Sequence, residues 1–200
     1  MSIPEAAAAV GGPTTPPPGA AEPVRHADAP EPGADLGPHY SHCFGCGDHL
    51  TNGLHLQVFA AEGVAVSAQF EVTEAHQGAP GLAHGGLLAC AFDEALGSVN
   101  WLLRSPAVTA RLETDYLRPV PVGSVVHITA RCVAVAGRKV YLRAEGRIDG
   151  PDGELVARAA ALFIQVKLTH FTTHGRAEEV ETVLSDPNQY RSLRAFEINP

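Results

Sequence analysis

The sequence predicts an α+β fold in which one antiparallel sheet of five to six strands wraps around one long helix. Short β-like runs separated by turn residues stand on both sides of a single long apolar segment. That segment is apolar on nearly every side, which is typical of a buried helix. A sheet curled around the helix is the simplest arrangement that buries it.

The strands are predicted from runs rich in β-branched and apolar residues. Two runs precede the helix and form a hairpin, and four follow it, separated by turns that contain glycine or proline. Residues 78–81 are predicted as a loop. The predicted strands cover residues 54–60, 64–72, 107–118, 124–136, 139–148 and 154–168. Their order around the helix is β-β-α-β-β-β-β.

The helix is predicted to begin near Gly85 and to end at Ser105-Pro106. The glycine pair Gly85-Gly86 lets a ligand approach backbone N–H groups that have no intrahelical partner, at the positive end of the helix dipole. Asp93 lies among apolar residues, where a carboxylate is costly unless it is paired, hydrated or used in chemistry. An oxyanion site beside a reactive acid indicates acyl chemistry.

Composition limits the class of protein. The chain has 200 residues, 45% of them hydrophobic, which is enough for one domain with tails. A net charge of −8 argues against a nucleic-acid partner. No leader pattern is present, and no apolar run reaches the ~18 residues of a membrane span. The four cysteines do not suggest a disulfide framework. We therefore expect a soluble cytoplasmic protein with reduced thiols.

Three regions follow from the composition along the chain. Residues 1–38 are rich in Ala, Pro and Gly and are predicted to be disordered. Residues 39–170 form the predicted domain. Residues 171–200 are a polar tail, in which residues 176–184 are a candidate short helix, and no function is assigned to this tail.

Cys43 and Cys46 form a lone C-x2-C pair with His42, Asp48 and His49 close by. Zinc is chemically conceivable here, but a second ligand pair at conventional spacing is absent. The favoured interpretation is a structured turn that leads into the first strand. We therefore predict neither a metal nor a cofactor.

Several motifs in a fixed order resemble the hotdog-fold acyl-CoA thioesterases, in the branch that includes the phenylacetate-degradation thioesterases and the human thioesterase superfamily members. The resemblance covers roughly the middle two thirds of the chain. The matching elements are Cys43-Phe-Gly-Cys46-Gly47, Asn52-Gly53-Leu54, Gln77-Gly78-Ala-Pro-Gly81, His84-Gly85-Gly86, Asp93 nine residues after His84, and the strand from Val108-Thr109 to Leu117-Arg118-Pro119.

The resemblance implies roles for the residues around the helix. Asp93 would be the general base or the nucleophile, and the N–H of Gly85 or Gly86 would form the oxyanion hole. Thr109 would orient the nucleophile, although threonine is also a common strand residue. His84 would position the substrate, or would only cap the helix. Glu94 is a rival acid that points about 100° away around the helix.

The resemblance also implies contacts with an acyl-CoA substrate. Gln77 and Gly78 match the loop that lines the mouth of the site. The turn Gly137-Arg138-Lys139 resembles the loop that contacts CoA, where cationic side chains and N–H groups can meet phosphate. Arg118 is a weaker candidate for the same contact.

Helical spacing adds a prediction about assembly. Asp93 lies seven residues beyond Gly86, on the same face of the helix but about 10.5 Å along its axis. One thioester carbonyl can hardly reach both groups in one subunit. We therefore expect a homodimer with shared sites, and a tetramer built as a dimer of dimers is left open.

Two alternative functions were weighed against hydrolysis. A non-catalytic acyl-CoA-binding or sensing module on the same fold would need no buried acid. A hotdog hydratase ranks last, since its relatives have a histidine five residues after the aspartate, where this chain has Ser98.

Overall fold

The structure is a computed structural model that describes residues 12–185. The predictions for residues 1–11 and 186–200 lie outside the described residues. Within the described residues, eight strands and three α-helices follow one another in the order β1 Gln57–Ala60, β2 Ala65–Glu71, β3 Gln77–Ala79, β4 Leu82–Ala83, α1 Gly85–Ser98, β5 Ala107–Tyr116, β6 Val125–Ala136, β7 Lys139–Ile148, β8 Glu154–Gln165, α2 Thr169–His174 and α3 Ala177–Ser185. Within residues 12–185, no helix has the length and apolar character needed to cross a membrane.

The main sheet has six antiparallel strands in the order β1-β2-β6-β7-β8-β5. The strands β3 and β4 form a separate small hairpin where the sequence predicted a loop. Because β1 and β5 end the sheet, β5 presents one long edge next to α1. The predicted α+β class is confirmed.

Helix α1 packs on one face of the sheet through side chains spaced three and four residues apart. Leu88, Phe92, Ala95 and Leu96 are at most 5% exposed, and burial of a Leu or Phe side chain contributes about 1.5–3 kcal/mol. In β7, a Cβ at Gly146 would lie 2.9 Å from the Phe92 ring, so glycine lets the sheet approach the helix closely. The opposite face of the helix is only partly covered.

The end of the helix differs from the prediction. The α-helical hydrogen bonds stop at Ser98, and Val99–Trp101 continue as a 3-10 turn. The backbone then leaves the helix through Arg104 at φ 49°. This tighter last turn is common at helix ends, where carbonyls lose their normal partners.

The sequence predicts disorder over residues 1–38, but in the structure residues 12–38 include positions that pair with the sheet and pack in the core. Ala21 pairs with Val135 at the end of β6, and Asp35 bridges Phe59 of β1. Leu36 is 9% exposed and joins the core. Composition does not reveal this packing, because a segment of Ala, Pro and Gly can still supply backbone hydrogen bonds to the open end or edge of a sheet.

The C-terminal segment is also placed against the domain. The short helix α2 follows β8, and α3 covers most of residues 176–184, where the sequence indicated a short helix. Tyr40 donates a hydrogen bond of 2.9 Å to Glu179, which joins α3 to the segment before β1.

Candidate active site

Asp93 and Thr109 form the centre of the candidate site. Asp93 lies partly buried on α1, and Thr109 on β5 donates its hydroxyl proton to Asp93 Oδ1 over 2.8 Å. Burial raises the pKa of Asp93, and the Thr109 hydrogen bond partly offsets that rise. The arrangement holds one carboxylate in a fixed orientation with increased basicity. Ser98, five residues after Asp93, donates its hydroxyl proton to the backbone oxygen of Glu94.

A bulge in β5 sets the position of Thr109. Thr109 pairs with Phe163 and Arg111 pairs with Leu162, so Ala110 is an extra residue in the ladder. Because of this bulge, the residues of β5 do not alternate strictly between the two faces of the sheet at this point. Thr109, Ala110 and Arg111 are all exposed.

The two glycines at the start of α1 differ in the hydrogen bonding of their N–H groups. His84 is the N-cap, and its Nδ1 accepts a 2.9 Å hydrogen bond from the Gly86 N–H. Within residues 12–185 the Gly85 N–H makes no hydrogen bond, while the Gly85 carbonyl accepts one of 2.8 Å from Tyr116. Of the two predicted oxyanion donors, Gly85 is therefore the one that can serve a ligand.

Gln77 and Gly78 belong to the loop that packs against His84, the N-cap residue of α1. A Cβ on Gly78 would lie 2.7 Å from the Cα of His84, so only glycine fits there without displacing the backbone. The Gln77 side chain accepts a hydrogen bond from the Gly81 N–H and donates one to the Glu74 carbonyl. Both ends of the amide are used within the loop, which favours a structural role for Gln77.

A cavity of about 730 Å³ opens beside Asp93. Its walls are mainly apolar, and they come from the end of α1, from the segment at residues 39–43 and from α2 and α3. The C-terminal segment, to which the sequence assigned no function, thus forms one wall. Asn100 is 2% exposed in this wall, and within residues 12–185 its Oδ1 has no hydrogen-bond partner. Gly85 and Gly86 do not line this cavity.

The predicted CoA-contacting residues lie at two ends of the sheet. The turn Gly137-Arg138-Lys139 is exposed and stands beside the Asp93 end, because Phe163 of the cavity wall pairs with Thr109 on one side and with Val140 on the other. Arg118 lies beyond the far end of β5 and forms a 2.8 Å ion pair with Glu154. One protomer does not bring these groups together.

A second group of reactive side chains adjoins the same cavity. His39, Cys43, Cys46 and Glu94 place their donor atoms within 4.8 Å of one another. Burial lowers the pKa of His39, but hydrogen bonds to Cys43 and Glu94 outweigh it and raise the pKa to about 10. Hydrogen bonding from Cys46, helped by His39, lowers the pKa of the Cys43 thiol to about 3, while the pKa of Cys46 is raised.

Sequence reasoning missed His39 and Glu94 in this group. It named His42, Asp48 and His49 as neighbours of the cysteines, yet His42 and His49 pack against each other with ring centroids 4.9 Å apart. His39 stands four residues before Cys43 and is detectable as a ligand spacing. Glu94 is 51 residues away in sequence, so no local pattern indicates it.

Comparison with known proteins identifies the domain. Residues 80–175 match the thioesterase superfamily. Acyl-coenzyme A thioesterase THEM4 of Bos taurus is 40% identical over 91 residues, which is 45% of this chain and 36% of that protein. The Xenopus laevis THEM4 is 37% identical over 90 residues, 45% of this chain and 40% of that protein. The chain thus matches about two fifths of the length of these relatives. Residues 80–175 are thus similar to the thioesterase superfamily.

The solved structures agree with this identification. A crystal structure of a thioesterase superfamily protein has 29% identity and a TM-score of 0.51, covering 55% of this chain and 53% of that one. The predicted hotdog fold is therefore confirmed. Within the thioesterase domain lie Asp93, Thr109 and the glycine pair, whereas His39, Cys43 and Cys46 precede the matched region.

Proposed function

We propose that this chain hydrolyses an acyl-CoA thioester to the free acid and CoA. The observation that carries the proposal is the partly buried Asp93 carboxylate, oriented by Thr109 at the wall of the 730 Å³ cavity. A cavity of this size suits a small-molecule substituent such as an acyl chain. The identity of 37–40% with acyl-coenzyme A thioesterases over 90 and 91 residues supports the choice of substrate class.

The chemistry divides between an acid and a backbone donor. Asp93 either removes a proton from the water that attacks the thioester carbonyl, or attacks the carbonyl itself and forms an acyl anhydride that water then opens. In both routes the carbonyl oxygen becomes an oxyanion, which the Gly85 N–H stabilises. The carbon–sulfur bond breaks and CoA leaves as the thiolate. Thr109 keeps the carboxylate in the attacking orientation.

The two groups belong to different protomers of a homodimer. Gly85 lies eight residues before Asp93, which is about 12 Å along the helix axis. A carbonyl that sits about 3 Å from its donor and about 3 to 3.5 Å from the attacking group spans much less than this. The partly buried Leu87, Ala89 and Cys90 on α1, together with the edge strand β5, offer a surface for the second protomer.

The CoA moiety would lie along the turn Gly137-Arg138-Lys139. This turn carries two cations in an otherwise acidic protein and stands at the Asp93 end of the sheet. Cationic side chains and turn N–H groups are the usual partners of phosphate. Arg118, which is paired with Glu154 at the other end, would contact CoA only from the second protomer.

Hydrolysis of a panel of acyl-CoAs tests the function. We expect wild-type protein to release CoA, and Asp93→Asn to lose about 10²- to 10⁴-fold in kcat while still binding substrate. The matched control is Asp152→Asn in the exposed β7–β8 turn, which should keep wild-type kcat. If wild-type protein binds acyl-CoAs but releases no thiol from any of them, the chain is a binding or sensing module instead.

The two routes for Asp93 are separable by isotope. In a single turnover in ¹⁸O-water, a nucleophilic Asp93 acquires ¹⁸O in its carboxylate when water opens the anhydride at that carbon. A general base transfers only a proton and leaves Asp93 unlabelled. Detection of ¹⁸O in the α1 peptide by mass spectrometry therefore establishes the nucleophilic route, whereas an unlabelled peptide excludes only a nucleophilic route in which water attacks the Asp93 carbon.

A further inference from the structure

The cluster of His39, Cys43, Cys46 and Glu94 is not used by the proposed hydrolysis. We propose that these four side chains bind one zinc ion in a closed, structural site, which ties the segment before β1 to helix α1. The donors would be His39 Nδ1, both Sγ atoms and the carboxylate of Glu94, whose two oxygens face Cys43 and His39. This site joins residues that precede the thioesterase domain to the helix inside it.

Three of the six separations between donor atoms are close to the edges of a tetrahedral zinc site, and all six are at most 4.8 Å. Cys43 Sγ lies 3.3 Å from Glu94 Oε2, Cys46 Sγ lies 3.0 Å from His39 Nδ1, and His39 Nδ1 lies 3.1 Å from Glu94 Oε1. Zinc bonds of about 2.3 Å to sulfur and about 2.0 Å to nitrogen or oxygen give tetrahedral edges of about 3.3 to 3.8 Å. The three distances are within about half an ångström of those edges.

The donor types select zinc. Two thiolates exclude the oxygen-seeking ions magnesium and calcium, and one imidazole with one carboxylate completes a four-coordinate set. Zinc sites in which the protein fills all four positions are structural, whereas catalytic sites keep one position for water or substrate. The ion is therefore not expected to activate the water that attacks the thioester.

The loop between the cysteines is shaped around the site. The Gly45 N–H points at Cys43 Sγ over 3.3 Å, a hydrogen bond that stabilises a metal-bound thiolate. A Cβ on Gly45 would lie 2.5 Å from Glu94 Oε2, so glycine here lets the carboxylate reach the cysteines. Gly47 is equally enclosed, since its Cβ would lie 2.4 Å from the Ser41 carbonyl. A tightly turned backbone around the two cysteines allows both sulfur atoms to bind the same ion.

The position of the site gives it a consequence for the cavity. Glu94 follows Asp93 on α1, and His39 and Cys43 line the same cavity as Asp93. An ion at this point would fix residues 39–46 as a wall of the cavity. Zinc binding is thus expected to stabilise the folded chain by linkage.

Metal content of the full chain tests the proposal directly. We equilibrate reduced wild-type protein with zinc, dialyse it, and measure zinc, iron, copper and nickel per chain. One zinc per chain is expected, and X-ray absorption should show two sulfur neighbours at about 2.3 Å and two nitrogen or oxygen neighbours at about 2.0 Å. Absence of zinc, or one equivalent of another of these metals, overturns the assignment. This readout does not depend on thioesterase activity.

Variants identify the ligands. Cys43→Ser, Cys46→Ser and Glu94→Gln should each lose zinc and the rise in Tm that zinc gives the wild type. The matched controls are Cys90→Ser on the same helix and Glu62→Gln on an exposed turn, which should keep both. If the two cysteine variants retain full zinc content, the site is elsewhere and the proposal fails. The absorption measurement on wild-type protein still decides the matter if a variant does not fold.

Discussion

Removal of a single N–H from the start of α1 gives the sharpest test of the proposed site. Gly85→Pro deletes the backbone donor at the first helical position, where proline is well tolerated. His84 before it already has the extended conformation that a residue preceding proline requires, with φ −71° and ψ 129°. The added ring atoms meet Tyr116, because a Cβ at Gly85 lies 3.3 Å from its ring. Gly85→Ala carries the same Cβ and keeps the N–H, so it is the matched control.

The expected size of the effect follows from the role of the donor. Loss of one oxyanion-hole N–H lowers kcat by about 10²- to 10³-fold. We therefore expect Gly85→Pro to fall this far below Gly85→Ala, with both proteins folded to the same extent by circular dichroism. Activity is measured by the loss of thioester absorbance, which avoids reaction of a thiol reagent with the four cysteines. Equal kcat in the two variants would refute the assignment of Gly85.

The same variant tests whether sites are shared. A heterodimer of Gly85→Pro with Asp93→Asn, isolated through two different tags, contains one site with an intact donor and an intact acid if each site uses both protomers. It should recover about one half of the wild-type kcat per dimer, since one of two equivalent sites works. If each protomer supplied its own donor and acid, both sites would be broken and no activity would return.

Further predictions concern pH, packing and substrate binding. Thr109→Val removes the hydrogen bond that lowers the pKa of Asp93, so the acid limb of the kcat/KM profile should move to higher pH. Burial raises the pKa of Asp93, so its contribution to stability is present at low pH and is lost as the pH rises through that pKa; Asp93→Asn should raise Tm near pH 7 and leave it unchanged near pH 3. Gly78→Ala should lower the free energy of unfolding in urea by about 1–3 kcal/mol, because its Cβ would lie 2.7 Å from the Cα of His84. Gly97→Ala is the control and should not lower it, since its Cβ would lie 3.6 Å from the Phe163 ring. Arg138→Ala should raise KM for acyl-CoA several-fold at unchanged kcat, and an unchanged KM would remove the turn from the CoA site.

Local patterns were sufficient for the helix and the strands of the main sheet. The turn at Gly137 and the alternating burial along β6 and β7 depend only on neighbouring residues, so they can be predicted from the sequence. The bulge at Ala110 is not, because it depends on how β5 pairs with β8. The packing of residues 12–38 is hidden for a similar reason, since it depends on backbone groups that the folded sheet leaves open.

The arrangement of the candidate site was predictable where the residues proposed for it lie within one helix. Asp93 and the glycine pair share α1, and the cap at His84 was one of two readings left open. The sequence does not show whether Gly85 or Gly86 has the N–H that is free to donate to a ligand. That depends on the His84 side chain, which accepts a hydrogen bond from the Gly86 N–H. The sequence also does not contain the meeting of Glu94 with Cys43, which only the fold brings to 3.3 Å.

Two successive acids on α1 face different partners, and this difference supports the separate roles proposed for them. Adjacent residues point about 100° apart around a helix, so Asp93 reaches Thr109 on β5 while Glu94 reaches His39 and Cys43 on the segment before β1. A carboxylate bound to a metal ion is a weaker base, since the positive charge of the ion withdraws electron density from it. If Glu94 holds zinc as proposed, the choice of Asp93 as the reacting acid follows from what each carboxylate already binds, and not from its position along the chain.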